Sequence, residues 1–485
     1  MIQFLLNQEL IGLTDCDPNM TVLNYLRQLK SRTGTKEGCA SGDCGACSVV
    51  LVELKDGQLH YSTINSCLTL VSALDGKQLI TVEDLKSQDS LHLVQQAMVE
   101  SHGSQCGFCT PGIVMSLFAH RKHTDVYDRE AVMSALSGNL CRCTGYQPIL
   151  NAAKSLYSVE CEDKFTQQTA VTVEQLKRLQ NNPTKGLSFQ DTSSCQYESY
   201  VPDSLDELDQ LLNNKPRSKL IAGGTDLTLA ITQMQQRFDT LIHLHKIPDL
   251  NGIRFDEHRI EIGAATPINQ CQNVIALEYP DLAHLFERFA SLQIRNQATL
   301  GGNIANASPI GDAPPALIAA GASVLLRKEG LYRIISLDKF FVDYKKTELQ
   351  TGEYIVKIII PHRPASSIYK VYKVSKRLDD DISAVCAAIY VDLNQQSQVS
   401  DIKIAFGGMA ATPKRAAKTE QALLHKPWDE TSVEQAIQAL KLDFTVLSDL
   451  RASSEYRMLV AANLLRKCLI ETQNTHAMTR VTDYV

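Results

Sequence analysis

Apolar and polar positions divide the chain into stretches of different period. IQFLLN (2–7) reads as a strand, and in TVLNYLRQL the residues Val22, Leu23, Leu26 and Leu29 recur at helical spacing. SVVLVEL (48–54) reads as a second strand, closed by the two-residue turn Asp56-Gly57 before a third. From about 85 to 160 the pattern predicts four helices forming a compact bundle: LHLVQQAMVE; a segment opening at Thr110-Pro111, with Thr as cap; DREAVMSAL, capped by Asp128; and ILNAAKSLYSV. Residues 161–196 are polar apart from a weak amphipathic stretch at Val173–Leu179, and predict a linker over the surface of its neighbours. SLDELDQLLNN then reads as a helix, KLIAGGTDL as a strand ending in a glycine turn, and Leu282 to Ile294 as one long helix leading to the Gly-rich TLGGNIANASPIGDAPP. Beyond 370, strand-like SAVCAAIYVDL and IKIAFGGM precede helical TEQALLHK, VEQAIQAL and MLVAANLLRKCLI, which predicts a further α/β domain. The divisions expected are 1–82, 83–160, a linker at 161–196, 197–369 and 370–485, in a multidomain α+β chain.

Composition narrows the class. Of 485 residues, 44% are hydrophobic and 21% charged, which excludes a disordered or fibrous chain. No run of eighteen apolar residues occurs and MIQFLLNQEL lacks a basic n-region, so the chain is expected to be neither secreted nor membrane-spanning, and cytoplasmic. A net charge of −6 gives no electrostatic reason to bind nucleic acid. Fourteen cysteines change the picture: with no export signal they point to metal or redox chemistry rather than disulfides, and nine of them precede residue 145.

Two constellations stand out. Cys39-x4-Cys44-x2-Cys47, with Cys67 further on, has the plant-type spacing for a 2Fe-2S cluster. Gly38, Gly42 and Gly45 between the thiols suit a loop that must turn sharply and bring N–H groups to sulfur. A structural zinc site also uses four thiolates, but usually pairs two C-x2-C knuckles, which this loop lacks. Cys106-x2-Cys109 and Cys141-x-Cys143 are two close pairs that, taken alone, suit zinc or an iron–sulfur cluster equally. Two Gly-rich turns after apolar strands would let backbone N–H groups approach a pyrophosphate, and the absence of GxGxxG disfavours a Rossmann site. His243 and His245 alternate along a predicted strand and read as structural.

The wording QCGFCTPG and GNLCRCTGYQP, following the ferredoxin-type loop in that order, resembles the iron–sulfur part of the xanthine oxidase family of molybdenum hydroxylases. IAGGTDL, LGGNIANASPIGD and FFVDYKKTELQTGEYIV resemble the FAD-binding domain of xanthine dehydrogenases, so the likeness covers nearly all of the chain. The resemblance implies a plant-type ferredoxin (β-grasp) domain, a four-helix 2Fe-2S domain in which Cys106, Cys109, Cys141 and Cys143 hold a second cluster, an α+β FAD-binding domain and a C-terminal α/β flavoprotein domain. It also implies that Leu220, Ile221, Ala222, Gly223, Gly224, Thr225, Asp226, Leu227, Phe289, Thr299, Leu300, Gly301, Gly302, Asn303, Asp312, Ile355 and Lys373 contact FAD. For Phe289 a plain core aromatic is the alternative. The loop KRLDDD (376–381) matches a family loop that governs acceptor access; a solvated charged face is the alternative.

A flavin adapts the one-electron steps of iron–sulfur clusters to the two-electron hydride of NAD+. The resemblance therefore implies an electron-transfer chain that ends at NAD+ and draws on a molybdopterin centre carried by a larger partner subunit, against which Gln105 and Cys143 would lie. By the same resemblance the chain would be the small subunit of a bacterial xanthine dehydrogenase, in a heterotetramer of two small and two large subunits. That enzyme would oxidise hypoxanthine to xanthine and xanthine to urate. No catalytic residue for the purine is expected on this chain. Cys16, Cys161, Cys195, Cys271, Cys386 and Cys468 are expected to be buried free thiols.

Overall fold

The structure, a computed structural model, describes residues 1–479 except 88–89, 159–161, 183–185 and 475. Two compact units divide it: Met1–Pro248 with Ala290–Ala298, and Asp249–Phe289 with Thr299–Val485. No described helix is long and apolar enough to cross a membrane.

The first unit begins with a five-stranded sheet in the order Glu9–Leu13, Ile2–Leu6, Gln78–Ile80, Ser48–Lys55, Gln58–Asn65. Ser48–Lys55 and Gln58–Asn65 pair antiparallel about Asp56 and Gly57, both at positive φ (51° and 77°), the conformation a tight right-twisted hairpin requires. Successive side chains of Ser48–Lys55 face opposite ways: Val49 and Leu51 join the core of Phe4, Tyr25 and Leu26, while Val50 and Val52 join the core of the helical module. Burial on both faces explains the unbroken apolar run Val49–Val52 in this strand.

The four expected helices form at Leu93–Glu100, Thr110–Arg121, Arg129–Leu136 and Gln147–Ser155. Asp128 caps the third by accepting from the N–H groups of Glu130 and Ala131. Thr110 is not a cap: Cys109 takes that position, and the Thr110 hydroxyl bonds Ser104 Oγ at 2.7 Å. The stretch read as a polar linker holds helices Lys164–Gln167 and Thr169–Asn181, the second burying Leu176 and Leu179 against Leu5, Leu54 and Leu59. A mixed sheet follows, Leu187–Gln190, Gln196–Tyr200, Thr240–His243, Lys219–Ile221 in spatial order.

The second unit contains a five-stranded antiparallel sheet in the order Ile253–Phe255, Arg259–Gly263, Tyr354–Pro361, Ser323–Lys328, Leu331–Ser336. An antiparallel sheet of Ile368–Val374, Val385–Leu393, Val399–Gly407 and Lys414–Arg415 packs with helices Ala417–Leu423, Glu430–Leu440 and Ser454–Gln473 around Ile389, Ile404, Phe406, Ile437 and Leu465. The helix expected from Leu282 to Ile294 is broken. Pro280–Glu287 ends before Ala290, whose φ is +47°, and Ser291 restarts a helix at Leu292–Arg295 by accepting from Ile294 N–H.

Candidate cluster and flavin sites

The first cysteine loop lies between the helical turns ending at Leu29 and the strand from Ser48. Gly42 and Gly45 take φ of +83° and +68°, which a side chain would strain, and a Cβ at Gly38 would reach Cys44 Sγ at 2.7 Å. Asn65, fully buried, donates to Gly42 O at 2.9 Å and holds the loop over the end of its own strand. Cys47 and Cys67 sulfurs lie 3.3 Å apart and are buried; Cys39 and Cys44 form the second, half-exposed pair. A hydrogen bond from Cys44 holds the Cys39 thiol down to about 4, and the same bond pushes Cys44 up. The hydrogen bond between Cys47 and Cys67 likewise lowers Cys47 and raises Cys67. In each pair one thiol is thus lowered and its neighbour raised, and the thiolate is the form that binds iron.

In the helical module Cys109 precedes the helix Thr110–Arg121, and Cys141 and Cys143 follow Arg129–Leu136. The thiols pair across the two segments, Cys106 with Cys143 and Cys109 with Cys141. Burial, then the bond to Cys141, pushes Cys109 up to about 12. For Cys141 burial acts upward, but hydrogen bonds from Thr144, the backbone and Cys109 outweigh it and lower the thiol. Thr144 Oγ1 stands 3.1 Å from Cys141 Sγ, and Tyr146 OH accepts from Cys141 N–H at 2.8 Å. Cys106 and Cys143 are exposed, as is Gln105.

The two loops touch. Leu140 N–H donates to Cys44 O at 3.0 Å and Asn139 Nδ2 to Gly45 O at 3.1 Å. Among the described residues no three His, Cys, Asp or Glu side chains gather to hold one metal ion. Thiols in pairs, two pairs to a loop set, suit a binuclear cluster in which each iron takes two thiolates, and the donor set fits 2Fe-2S.

The residues implied for FAD fall in both units. In the first, Leu220 and Ile221 end the strand Lys219–Ile221, Ala222 to Thr225 form the turn, and Asp226 precedes the helix Leu227–Thr232. A Cβ at Gly223 would collide with Gln297 O, and Gly224 has φ +75°, so the turn needs both glycines. In the second unit Thr299 caps the helix Leu300–Ala305 by accepting from Gly302 N–H at 3.0 Å, and Gly301 abuts Ala264 at distances that leave no room for a Cβ. Asn303 Oδ1 is buried without a partner among the described residues, and Gly302 is exposed. An orphaned acceptor beside a glycine that leaves its backbone open fits a bound polar group such as a dinucleotide. Ile355 is buried in the strand Tyr354–Pro361, and Phe289 is half-buried just before the helix break. Asp312 and Lys373 form a buried ion pair at 2.6 Å; Lys373 Nζ also donates to Arg288 O, and Ser383 Oγ donates to Asp312.

Arg288, which sequence reasoning did not single out, donates to Lys373 O, Leu378 O and Ser375 Oγ, and so ties down the KRLDDD loop. These partners lie 85–90 residues away, which no local pattern signals. His243 is buried at a strand end with burial lowering it to about 3, and its ring meets His245 edge-on at 6.1 Å. Cys16, Cys271, Cys386 and Cys468 are buried free thiols, whereas Cys195 is exposed and Cys161 lies outside the described residues.

Residues 11–72 match a 2Fe-2S iron–sulfur cluster binding domain and 81–154 a 2Fe-2S binding domain. Residues 194–363 match the FAD binding domain in molybdopterin dehydrogenase, and 370–472 the CO dehydrogenase flavoprotein C-terminal domain. The chain is 33% identical to the xanthine dehydrogenase of Emericella nidulans over 92% of this chain and 36% of that protein. It is 30% identical to the xanthine dehydrogenase/oxidase of Rattus norvegicus over 92% of this chain and 37% of that one. It therefore spans little more than a third of the length of these relatives. A chain of the carbon monoxide dehydrogenase of Hydrogenophaga pseudoflava, in a form lacking the Mo-pyranopterin moiety of its molybdenum cofactor, is 29% identical with a TM-score of 0.53, over 56% of this chain and 95% of that chain. These matches support the molybdenum hydroxylase family. Within it, two 2Fe-2S domains and an FAD-binding domain support electron transfer as the role of this chain.

Proposed function

We propose that the chain is the electron-transfer subunit of a xanthine dehydrogenase-type molybdenum hydroxylase, the small subunit of a bacterial enzyme, working in the cytoplasm. The molybdopterin centre that oxidises hypoxanthine and xanthine belongs to a larger partner, in an assembly of two small and two large subunits, and NAD+ is the acceptor. Residues 1–82 hold the cluster of Cys39, Cys44, Cys47 and Cys67, and 83–160 that of Cys106, Cys109, Cys141 and Cys143. After the segment 161–196, residues 197–369 hold FAD and 370–485 complete the flavoprotein part. When bound, these groups supply one-electron carriers and a flavin that exchanges single electrons for hydride.

The observation that carries this reading is the asymmetry of exposure. One thiol pair of each loop is more accessible than the other, and Cys106 and Cys143 stand open beside Gln105 and Phe108, the latter 48% exposed. An iron–sulfur edge left in water is vulnerable, so this face suits coverage by the molybdopterin-bearing partner. That all thirteen described cysteines are free accords with a reducing compartment.

The test is native, anaerobic purification from the source cells with molybdenum, iron and zinc measured per chain. About four irons with one molybdenum, arriving with a larger polypeptide, is the expected result. Iron without molybdenum or partner would mark a stand-alone NADH-linked carrier, and zinc in place of iron would end the electron-transfer reading. The 29% likeness to a carbon monoxide dehydrogenase chain favours a second reading, the same role beside a molybdenum centre with another substrate. Assaying the purified complex with xanthine, aldehydes and other N-heterocycles decides between the two.

A further inference from the structure

We propose that Gln293 is a positioning residue that sets the two cysteine loops against each other through Asn139; the inference rests on the reading that both loops hold clusters. Gln293 lies in the four-residue helix Leu292–Arg295 and is fully buried. Its Nε2 donates to Asn139 Oδ1 at 2.9 Å and to Ser116 Oγ at 3.1 Å, and Ser116 Oγ donates to the same Oδ1 at 2.7 Å. Two donors on Oδ1 fix which way the Asn139 amide faces. Its Nδ2 is thereby aimed at Gly45 O, 3.1 Å away, and Ser48 Oγ, 3.3 Å away.

Gly45 lies between Cys44 and Cys47, and Asn139 lies two residues before Cys141. The next residue, Leu140, donates its N–H to Cys44 O. Two adjacent hydrogen bonds therefore lock residues 139–140 of one loop to 44–45 of the other, and Gln293 holds one of them from outside both loops. The node has no slack: a Cβ at Gly45, Gly112 or Gly138 would strike Gly138 O, Gly45 O or Gln293 Oε1.

Packing alone does not account for an amide here. Gln293 Oε1 has no partner among the described residues, a cost that methionine, of similar shape, would avoid. A buried polar network is costly and selects one arrangement over its near neighbours. Electron exchange between two centres depends steeply on their separation, so a single arrangement of the loops is what that exchange needs.

The test uses the full, cluster-loaded chain with Gln293→Met, which removes the donors, and Gln293→Glu, which keeps the shape and offers acceptors in their place. Iron per chain and the EPR spectrum of the fully reduced protein are measured, since neighbouring paramagnetic clusters split each other's lines according to their separation. Both variants are expected to keep wild-type iron while the splitting shrinks or is lost. Asn296→Ala, which cuts a bond to Thr63 O in the same segment but outside the node, is expected to keep it. Unchanged splitting in both Gln293 variants overturns the inference, and so does loss of iron in both, which would make the residue one for folding. A wild-type chain without iron would instead fail the cluster reading and the inference with it.

Discussion

Lys373 Nζ and Asp312 Oδ2 are 2.6 Å apart, in an ion pair whose side chains are 3% and 7% exposed. Ser383 and the Arg288 carbonyl complete the hydrogen bonding, so neither charge is left bare. Lys373→Met would leave the carboxylate buried without its cation, at a cost of about 3–5 kcal/mol. Denaturant unfolding should report that loss, and the double variant with Asp312→Asn should recover part of it, because it removes the stranded charge. Equal stability of Lys373→Met and wild type would show the pair to be solvated in solution.

Thr144 Oγ1 is 3.1 Å from Cys141 Sγ. A hydroxyl directed at a cluster sulfur stabilises the more negative, reduced state, and such bonds are among the determinants of cluster potential. Thr144→Val should shift the second cluster to a more negative potential and leave the first where it was, read by redox titration followed by EPR. A shift of both clusters, or of neither, would count against a local effect.

Features governed by neighbours in sequence were readable from it. Asp128 sits one residue before a helix whose N–H groups it caps, and the cysteine spacing of the first loop is contained within a few turns of chain. Features held by distant partners were not. The periodicity from Leu282 continues through Ile294, yet the helix breaks at Ala290 because Gln293, Asn296 and Gln297 bond to Ser116, Asn139, Thr63 and Thr69. The helix Thr169–Asn181 shows in the sequence only as the weak amphipathic stretch Val173–Leu179 for the same reason, since the leucines that bury it lie more than a hundred residues upstream. In the helical module the two cysteine pairs are visible in the sequence, but the pairing of Cys106 with Cys143 and Cys109 with Cys141 appears only once the helices bring the segments together.

His243 carries a pH dependence whose sign follows from burial, which lowers it from 6.5 to about 3. Between those values the unfolded chain takes up a proton that the folded chain refuses, so stability falls as pH drops below about 6.5, by up to about 1.4 kcal/mol per pH unit. His245 is lowered in the same direction and steepens the loss. His243→Leu should flatten the profile of unfolding free energy between pH 4 and 6 while changing it little at pH 8. An unaltered slope would mean that the ring reaches water in the folded state.

Cys143 separates the two ends of the proposed electron path, because it lies in the exposed half of the second thiol set and outside every segment implied for FAD. In the complex with its partner, Cys143→Ser should reduce xanthine-dependent NAD+ reduction to background. NADH-dependent reduction of an artificial dye, which needs only the flavin, should stay near the wild-type rate. Iron should fall from about four to about two per chain, since one binuclear cluster loses a thiolate ligand. Loss of both activities would mean that the substitution disturbs the flavin part as well, and survival of both would remove this cluster from the path between substrate and NAD+.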